Sequence, residues 1–268
     1  MRILLTNDDG VHAEGIQALR RALEKVPGIE LYVVAPERER SASSHAITLH
    51  KPLYVSRVQM EGARSPMWAV SGTPADCTKI AVSALLDHRP DLVISGINRG
   101  PNLGTDVLYS GTVSAAIEAV IAGIPAVAVS LVAYGDADFE PAARFMALLV
   151  STIVRQGNPG FTLLNVNIPA LDLDQMAGVA VTRLSRRRYS DSFVQRTDPR
   201  GRTYYWLAGE LLGDDDDPAT DAGAVQQNLI SLTPLHLELT DSTLLPGLAD
   251  WASSLDQRLR PNDTTGRS

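Results

Sequence analysis

The sequence predicts an α/β fold in which helices cover both faces of a mostly parallel sheet. In the first half of the chain, short apolar runs alternate with amphipathic segments, and turn residues separate the two. Strands of a parallel sheet are apolar throughout because helices bury both of their faces. The length of 268 residues is enough to bury one substantial core. Sheets of this class bind their ligands beyond the carboxyl ends of the strands.

Apolar periodicity and turn residues place the individual elements. Apolar runs predict six core strands, at residues 3–6, 31–35, 68–71, 92–95, 126–131 and 161–167. A first helix, ended by Pro27-Gly28, is predicted from four apolar residues that share one helical face: Ile16, Leu19, Leu23 and Val26. Further helices are expected from Pro74 to about residue 86, with Thr73 as its cap, and over residues 113–122.

The second half of the chain predicts a long β-hairpin arm. Residues 183–207 are basic and aromatic, with a turn signal, Asp198-Pro199-Arg200-Gly201, between two β-prone stretches. The acidic run at 214–217 is expected to be a solvated loop, and the polar end of the chain a frayed tail. We therefore predict a single domain over residues 1–268, with its core at about 1–170, the hairpin arm and oligomerisation region at about 183–242 and the tail from about 255.

Composition narrows the class of protein. The net charge of −7 argues against a protein that binds nucleic-acid polymers through their phosphates, although one divalent cation can bring a small phosphorylated ligand to an acidic surface. Cys77 is the only cysteine, so a reducing compartment is expected. The first residues lack the pattern of a signal peptide, and no apolar run is long enough to span a bilayer. The sequence predicts a soluble, cytoplasmic protein that does not bind membranes.

Two adjacent carboxylates follow the first predicted strand. Asp8 and Asp9 must share a small space, which is costly for like charges unless a cation is present. Carboxylate oxygens suit Mg²⁺, Mn²⁺ or Ca²⁺ better than zinc. The alternative is that Asn7, Asp8 and Asp9 only form a turn and cap the helix that follows.

Two further loops at predicted strand ends carry polar groups. Residues 35–41 are rich in charge and end at Ser41, whose oxygen could complete a metal shell, although solvated surface charges explain this loop more simply. Residues 95–104 contain three glycines and Asn98, whose side-chain amide could meet a metal or a phosphate. The alternative for this second loop is a glycine-rich turn whose asparagines satisfy one another.

A predicted helix start offers an anion site. Ser110, Gly111 and Thr112 open the helix over residues 113–122, where free N–H groups and the helix dipole attract negative charge. Capping is the commoner role of such hydroxyls, and both roles are compatible. Other catalytic motifs are missing, since the chain has no GxxxxGK[ST], no GxGxxG after the first strand, no GxSxG and no HExxH.

Several segments of the chain together match one known family. They are LLTNDDG, APERERSASSHAIT, SGTPADC, ISGINRGPNLG, YSGTVSAAIEA, NVNIP and DPRGRTYYWL. The sequence resembles the SurE family of stationary-phase survival proteins, which act as 5′(3′)-nucleotidases, from Met1 to about Thr240. Departures are small, with ERER at residues 37–40 where the family often has Asp-Arg-Asn-Arg, and NLISLTPL in place of a more typical GYVSITPL.

The resemblance implies a Rossmann-like core and one divalent metal ion per subunit, Mg²⁺, Mn²⁺ or Ca²⁺. The family's metal ligands fall on Asp8, Asp9, Ser41 and Asn98 of this sequence. Its phosphate-binding residues fall on Asn98, Ser110, Gly111 and Thr112. The implied partners are nucleoside monophosphates and further copies of the same chain, as a homodimer or homotetramer with exchanged arms.

The expected reaction is hydrolysis of nucleoside 5′- and 3′-monophosphates, with a side activity on short polyphosphate. Asp8 and Asp9 are the expected catalytic residues, because a metal that they hold would activate a water for attack on phosphorus, with Asp9 as the favoured base. One alternative is a covalent route in which Asp8 attacks phosphorus. Another is a nucleotide or metal sensor that keeps the same pocket without turnover.

Overall fold

In the computed structural model, a nine-stranded sheet forms the core of residues 1–235. The structure describes residues 1–40, 43–190, 192–209, 211–213 and 216–259. In chain order the elements are β1 (Arg2–Thr6), α1 (Glu14–Leu23), β2 (Glu30–Pro36), β3 (Val55–Val58), β4 (Met67–Val70), α2 (Pro74–Ile80), β5 (Leu92–Arg99), α3 (Gly111–Ile121), β6 (Ala126–Val132), α4 (Glu140–Gln156), β7 (Leu163–Pro169), β8 (Gly178–Val181), β9 (Arg188–Tyr189), β10 (Phe193–Thr197), β11 (Thr203–Leu207), β12 (Leu211–Gly213), α5 (Asp221–Gln226), β13 (Leu229–Leu235) and α6 (Leu245–Leu259). A π-helical turn, Ala81–Leu85, continues α2, and a 3₁₀ helix, Gly104–Leu108, precedes α3.

The order of the strands brings the candidate loops to one edge of the sheet. The order is β3-β4-β2-β1-β5-β6-β7-β13-β8. Neighbours are parallel except for the pairs β3–β4 and β7–β13. Because β2, β1, β5 and β6 run in the same direction, the segments that follow them all leave the sheet at its carboxyl edge.

Helices cover both faces of this sheet. Helices α1 and α4 pack together on one face, where Ile16 and Met146 join Ile3 of β1 in one apolar cluster. Helices α2 and α3 pack on the other face, where Cys77 joins Leu4 of β1 in a second cluster. Successive residues of β1 therefore enter opposite layers, as the alternation of side chains along a strand requires. The predicted fold class is confirmed.

Most predicted elements are present, but some end elsewhere. Helix α1 stops at Leu23 rather than at Pro27, because the next residues close a turn with hydrogen bonds to carbonyls three residues back. Helix α2 has the predicted threonine cap and first-position proline, but it ends at Ile80 and continues only as the π-helical turn. Strand β5 runs past the predicted end at Ser95 to Arg99, with an irregular register against β6. Asn98 is therefore part of a strand and not of a loop.

The predicted hairpin is formed by β10 and β11, which pair antiparallel from Phe193–Leu207 to Thr197–Thr203. Every residue of both strands is exposed. Asp198 closes the turn, since its carboxylate accepts from the Arg202 side chain at 2.8 Å. Of the acidic run at 214–217, only the last two residues are described, and the Asp217 carboxylate pairs with Arg183 at 2.5 Å.

Residues 236–259, the last that the structure describes, belong to a second unit. Helix α6 continues to Leu259, a few residues into the segment predicted as a tail from about 255, and the residues after 259 lie outside the described part of the chain. Leu248, Trp251 and Leu255 are exposed and lie at helical spacing. None of the helices in the described part of the chain is both long enough and apolar enough to cross a membrane.

Candidate active site

The turn after β1 carries two carboxylates to the carboxyl edge of the sheet. Asn7 closes this turn, because its Oδ1 accepts from the Gly10 N–H at 3.2 Å and its Nδ2 donates to the Gly10 carbonyl at 3.0 Å. The turn considered as an alternative to a metal site is thus present. It uses only the Asn7 side chain, however, so Asp8 and Asp9 are left for other contacts.

Asp8 contacts the first turn of α3. The Asp8 residue is only 4% exposed, and the Thr112 hydroxyl donates a hydrogen bond to its Oδ1. Burial raises the pKa of Asp8, while hydrogen bonds from the Thr112 hydroxyl and backbone lower it by less. A carboxylate in this environment is costly to ionise, and a nearby positive charge would remove that cost.

Asp9 is half-buried beside Asp8. Burial and, next, the charge of Asp8 raise the pKa of Asp9 to about 7, against the lowering effect of a hydrogen bond from the Arg99 backbone. A carboxyl group that titrates near neutral pH can exchange a proton under ordinary conditions. In the metal-free protein Asp9 therefore titrates near neutral pH, and a cation bound beside it would lower that pKa.

The N-terminus of α3 faces Asp8 across a narrow gap. Ser110 caps the helix, since its Oγ accepts from the Val113 N–H at 3.1 Å. The Thr112 N–H lies near Asp8 and lowers its pKa. The Gly111 N–H donates no hydrogen bond to any residue that the structure describes. A Cβ at position 111 would lie 2.9 Å from Asp8 Oδ2. Glycine at 111 therefore lets Asp8 pack against the helix terminus, where a small anion is favoured.

The segment after β2 contacts the same turn. The Arg40 N–H donates to the Asp8 carbonyl at 2.8 Å. Ser41, the predicted metal ligand in this segment, lies outside the described residues. Ser44 donates to two carbonyls that precede α3, Leu108 O at 2.9 Å through its hydroxyl and Tyr109 O at 3.2 Å through its N–H. The segment thus links the turn after β1 to the start of α3.

Asn98 lies near the end of β5, which pairs with β1. Its Nδ2 donates to the Gly100 carbonyl at 2.8 Å. Its Oδ1 accepts no hydrogen bond from any residue that the structure describes. The adjacent Arg99 N–H bonds Asp9. The structure therefore brings the ends of β1 and β5 and the start of α3 together around Asp8 and Asp9.

A buried amide network holds the segment after β5, and the sequence analysis missed it. The Asn102 N–H donates to Asn167 Oδ1 at 2.9 Å, and Asn102 Nδ2 donates to Ser130 Oγ at 2.7 Å. Asn165 and Asn167 both donate to the Asn102 carbonyl, at 2.8 and 3.0 Å. Their spacing by two in a predicted strand was an available signal, because residues i and i+2 share one face.

The segment that leads to the arm holds the 3₁₀ helix in place through contacts that were not predicted from the sequence. Asp106 Oδ2 accepts from Arg187 Nη1 at 2.7 Å and from the Tyr189 hydroxyl at 2.8 Å. Burial, together with the hydrogen bond to Asp106, raises the pKa of Tyr189 to about 12. These contacts join residues about eighty positions apart, so no local sequence pattern predicts them.

A buried carboxylate on α5 fixes the start of the same 3₁₀ helix. Asp221 is fully buried and accepts from the Gly104 and Ser185 N–H groups, each at 2.8 Å. Gly104 has a φ of +53°, and a Cβ there would lie 2.5 Å from the Ser185 carbonyl oxygen. Glycine at 104 is therefore required by both the backbone angle and the close approach.

The oxygen donors at this edge fit a hard divalent cation. Within the described residues, no group of three or more His, Cys, Asp or Glu side chains lies together, which disfavours a zinc centre built from thiolates or histidines. Asp8 and Asp9 supply two carboxylates whose raised pKa values a cation would lower. Ser43 Oγ is buried without a hydrogen-bond partner in the described structure, and a Cβ at Gly111 would lie 3.2 Å from it. The site thus has the two carboxylates that a bound cation requires. It also has an unused hydroxyl, which can donate to an anion beside that cation.

A cavity of about 500 Å³ lies elsewhere, past the ends of β6 and β7. Its polar lining residues include Tyr134, Asp136 and Asp172, and none of the predicted site residues borders it. The candidate chemistry therefore follows the paired carboxylates rather than this cavity.

Comparisons with known proteins agree with the arrangement of these elements. A family model described as "Survival protein SurE" matches residues 3–191. The chain is 54% identical over 255 residues to the "5'-nucleotidase SurE" of Moorella thermoacetica, covering 95% of this chain and 97% of the relative. It is 55% identical over 251 residues to the protein of the same name from Pelotomaculum thermopropionicum, covering 92% and 94%.

A solved structure has the same fold. The SurE protein from Aquifex aeolicus superposes with a TM-score of 0.81 at 39% identity, covering 94% of this chain and 100% of that chain. The similarity therefore extends over nearly the full length in both sequence and structure.

Proposed function

Because the chain belongs to the SurE family, we propose that it is a divalent-metal-dependent 5′-nucleotidase that hydrolyses nucleoside monophosphates to nucleoside and inorganic phosphate. The name of its relatives, 5'-nucleotidase SurE, supports the reaction. One observation carries the proposal. Asp8 and Asp9 lie side by side, Asp8 buried and Asp9 half-buried, with Asp8 against the open N-terminus of α3.

Four residues would hold the cation, which is Mg²⁺ or Mn²⁺ in our proposal. Asp8 and Asp9 supply charge, and Asn98 supplies a free amide oxygen. Ser41 is the fourth, from the segment that the Arg40 N–H ties to Asp8. When bound, such a cation polarises a phosphate oxygen and lowers the pKa of a water molecule beside it.

The phosphate group would lie against the start of α3. The Gly111 N–H is available to it, and the Ser110 hydroxyl can still donate its proton because its oxygen only accepts the capping bond. Thr112 acts from the other side, since its hydroxyl holds Asp8. Asn98 completes the set at the end of β5. Donors fixed before the reaction stabilise charge on the phosphate oxygens without reorganising.

Asp9 would take the proton of the attacking water. The water oxygen forms the new bond to phosphorus and the bond from phosphorus to the ester oxygen breaks. The ester oxygen takes a proton from solvent as the nucleoside leaves, and Asp9 then releases the proton that it took from the water. The raised pKa of Asp9, about 7 in the absence of a cation, supports this role near neutral pH, although the bound cation would lower it. The covalent alternative is less favoured, because the Asp8 carboxylate is buried and held by Thr112.

The arm would serve assembly with a second copy of the chain. Phe193, Tyr205 and Trp206 are 60% exposed or more, and exposed aromatic surface of this kind usually marks an interface. We therefore propose a homodimer or homotetramer that buries β10 and β11.

Phosphate release from a panel of nucleoside 5′- and 3′-monophosphates tests the proposal. We expect Mn²⁺- or Mg²⁺-dependent release by the wild-type protein and by Ser151→Ala, whose hydroxyl donates within α4. Asp9→Asn should abolish release while keeping the circular dichroism spectrum. Binding of nucleotides without any release, under all cation conditions, would favour the sensor alternative and overturn the enzyme.

A further inference from the structure

Ser43 has a buried hydroxyl oxygen that no residue in the described structure satisfies. Such groups are rare in folded proteins, because a buried donor without a partner forfeits its hydrogen bond to water. An orphaned hydroxyl beside a candidate site therefore indicates a partner that arrives with a ligand.

The position of Ser43 beside Gly111 and Asp8 indicates which kind of ligand group would accept its hydrogen bond. Its Oγ lies 3.2 Å from the place where a Cβ on Gly111 would stand, and Asp8 Oδ2 lies 2.9 Å from the same place. Ser43 Oγ thus lies beside Asp8 at the start of α3. A group that enters here meets the Gly111 N–H, the positive end of the helix and a hydroxyl. It also meets the Asp8 carboxylate, so an anion at this point needs the proposed cation at Asp8 and Asp9.

The neighbouring serine, Ser44, has hydrogen-bond partners within the fold, whereas the Ser43 hydroxyl has none among the described residues. Ser44 uses its hydroxyl and its N–H on Leu108 and Tyr109, and it has a φ of +48°. This conformation is uncommon for a residue other than glycine. The two contacts of Ser44 fix the direction of the chain, and Ser43 is thereby held against Gly111.

We propose that the Ser43 hydroxyl is a phosphate-binding group that donates a hydrogen bond to an oxygen of the substrate or product phosphate. The inference rests on the proposed nucleotidase function and adds a residue to that site. Ser43 closes the gap over Gly111, so a phosphate is contacted by donors from both α3 and the segment after β2.

The test compares Ser43→Ala with Ser44→Ala in three measurements. The first is inhibition by inorganic phosphate and the KM for a nucleoside monophosphate. The second is calorimetric binding of Mn²⁺ alone. The third is the urea midpoint of the metal-free protein. Ser43→Thr, which keeps a hydroxyl, serves as the conservative variant.

We expect Ser43→Ala to weaken phosphate inhibition and raise KM about tenfold or more, as removal of a hydrogen bond to a charged group does. Its Mn²⁺ affinity should stay at the wild-type value and its urea midpoint should not fall, because the hydroxyl has no partner in the free protein. Ser44→Ala should instead lower the midpoint, since its hydroxyl is used within the fold. Ser43→Thr should keep most of the phosphate affinity.

Three results would overturn the inference. The first is unchanged phosphate inhibition and KM in Ser43→Ala. The second is a loss of Mn²⁺ affinity in that variant, which would make Ser43 a metal ligand. The third is a drop in its urea midpoint, which would make the hydroxyl structural. A wild-type protein with no phosphatase activity would count against the proposed function, whereas an active wild type with an unaffected Ser43→Ala counts only against Ser43.

Discussion

Gly111 approaches Asp8 so closely that a Cβ at position 111 would stand 2.9 Å from both the Cβ and the Oδ2 of Asp8. The start of α3 and the turn after β1 are therefore one site, in which an anion at the helix and a cation at the carboxylates would be neighbours. A larger residue at 111 would therefore disturb the Asp8 carboxylate as well as an anion at the helix.

Gly111→Ala is predicted to impair both metal binding and catalysis. The added methyl group must displace the Asp8 side chain or α3, since real Cβ atoms do not lie this close to other atoms. We expect the hydrolysis rate to fall by about 10²–10³, the cost of losing well-aimed electrostatic groups, and Mn²⁺ affinity to fall with it. Calorimetry and phosphate release measure the two effects. Gly247→Ala is the matched control, because nothing lies within 4 Å of a Cβ at that position, and wild-type values for Gly111→Ala would place the site elsewhere.

Thr112→Val is predicted to lower activity because it removes the hydroxyl, whereas Thr112→Ser keeps it. The Thr112 hydroxyl donates to Asp8 Oδ1 in a buried setting, and its loss removes a hydrogen bond that contributes about 1.5–3 kcal/mol when the acceptor is charged. We expect at least a tenfold lower kcat for the valine variant. The serine variant keeps the hydroxyl and should retain most of the rate. Equal kcat values for valine and threonine would mean that Asp8 needs no such support.

The stability of the metal-free protein is predicted to fall between about pH 4 and pH 7 because of Asp9. The pKa of Asp9 is raised from 3.8 to about 7 in the folded state. Below pH 4 the group is protonated in both states, and above it the unfolded chain ionises first, which favours unfolding until the folded pKa is passed. Asp9→Asn should therefore stabilise the protein at pH 8 by about 2 kcal/mol, less than the full shift implies because Asp9 is partly solvated.

Urea unfolding in excess chelator at pH 4 and pH 8 measures this difference. The Asn variant and the wild type should have equal free energies of unfolding at pH 4. Added Mn²⁺ should stabilise the wild type at pH 8 and leave Asp9→Asn nearly unchanged, since a ligand stabilises only the state that binds it. A variant less stable than the wild type at pH 8 without metal would show that Asp9 is well solvated or structurally paired.

The arm is predicted to hold copies of the chain together. Trp206 is 65% exposed and pairs across the hairpin with Val194, so Trp206→Glu places a charge in the centre of the proposed interface. We expect a smaller mass by light scattering at micromolar concentration, with an unchanged circular dichroism spectrum. A monomeric wild type under the same conditions would remove the basis for this role of the arm.

The core strands and the carboxylate turn could be predicted from the sequence because both are local. A short apolar run specifies a buried strand, and two adjacent aspartates after it need no distant information to be noticed. The extension of β5 through Asn98 could not be predicted in this way, because Gly96 and Gly100 on either side of it are typical of a loop. Pairing of Asn98 with Ser130 of β6 outweighs that local preference.

The supports of the site are non-local, and the sequence analysis missed them for that reason. Asp106 and Tyr189 are separated by 83 positions, and Gly104 and Asp221 by 117. Each of these carboxylates alone is indistinguishable from a solvated surface acid. Only the fold shows that Asp221 is fully buried and satisfied by backbone N–H groups.

The central claim is that Asp8 and Asp9 hold a divalent cation that phosphate release requires, and one measurement tests it most directly. Release of inorganic phosphate from a nucleoside 5′-monophosphate is followed in Mn²⁺ and in excess chelator, for the wild type, Asp8→Asn and Asp9→Asn. The account predicts release only by the wild type and only with the cation, with activity restored when Mn²⁺ is returned to the chelated protein. Full release in excess chelator, or by either folded Asn variant, would contradict it.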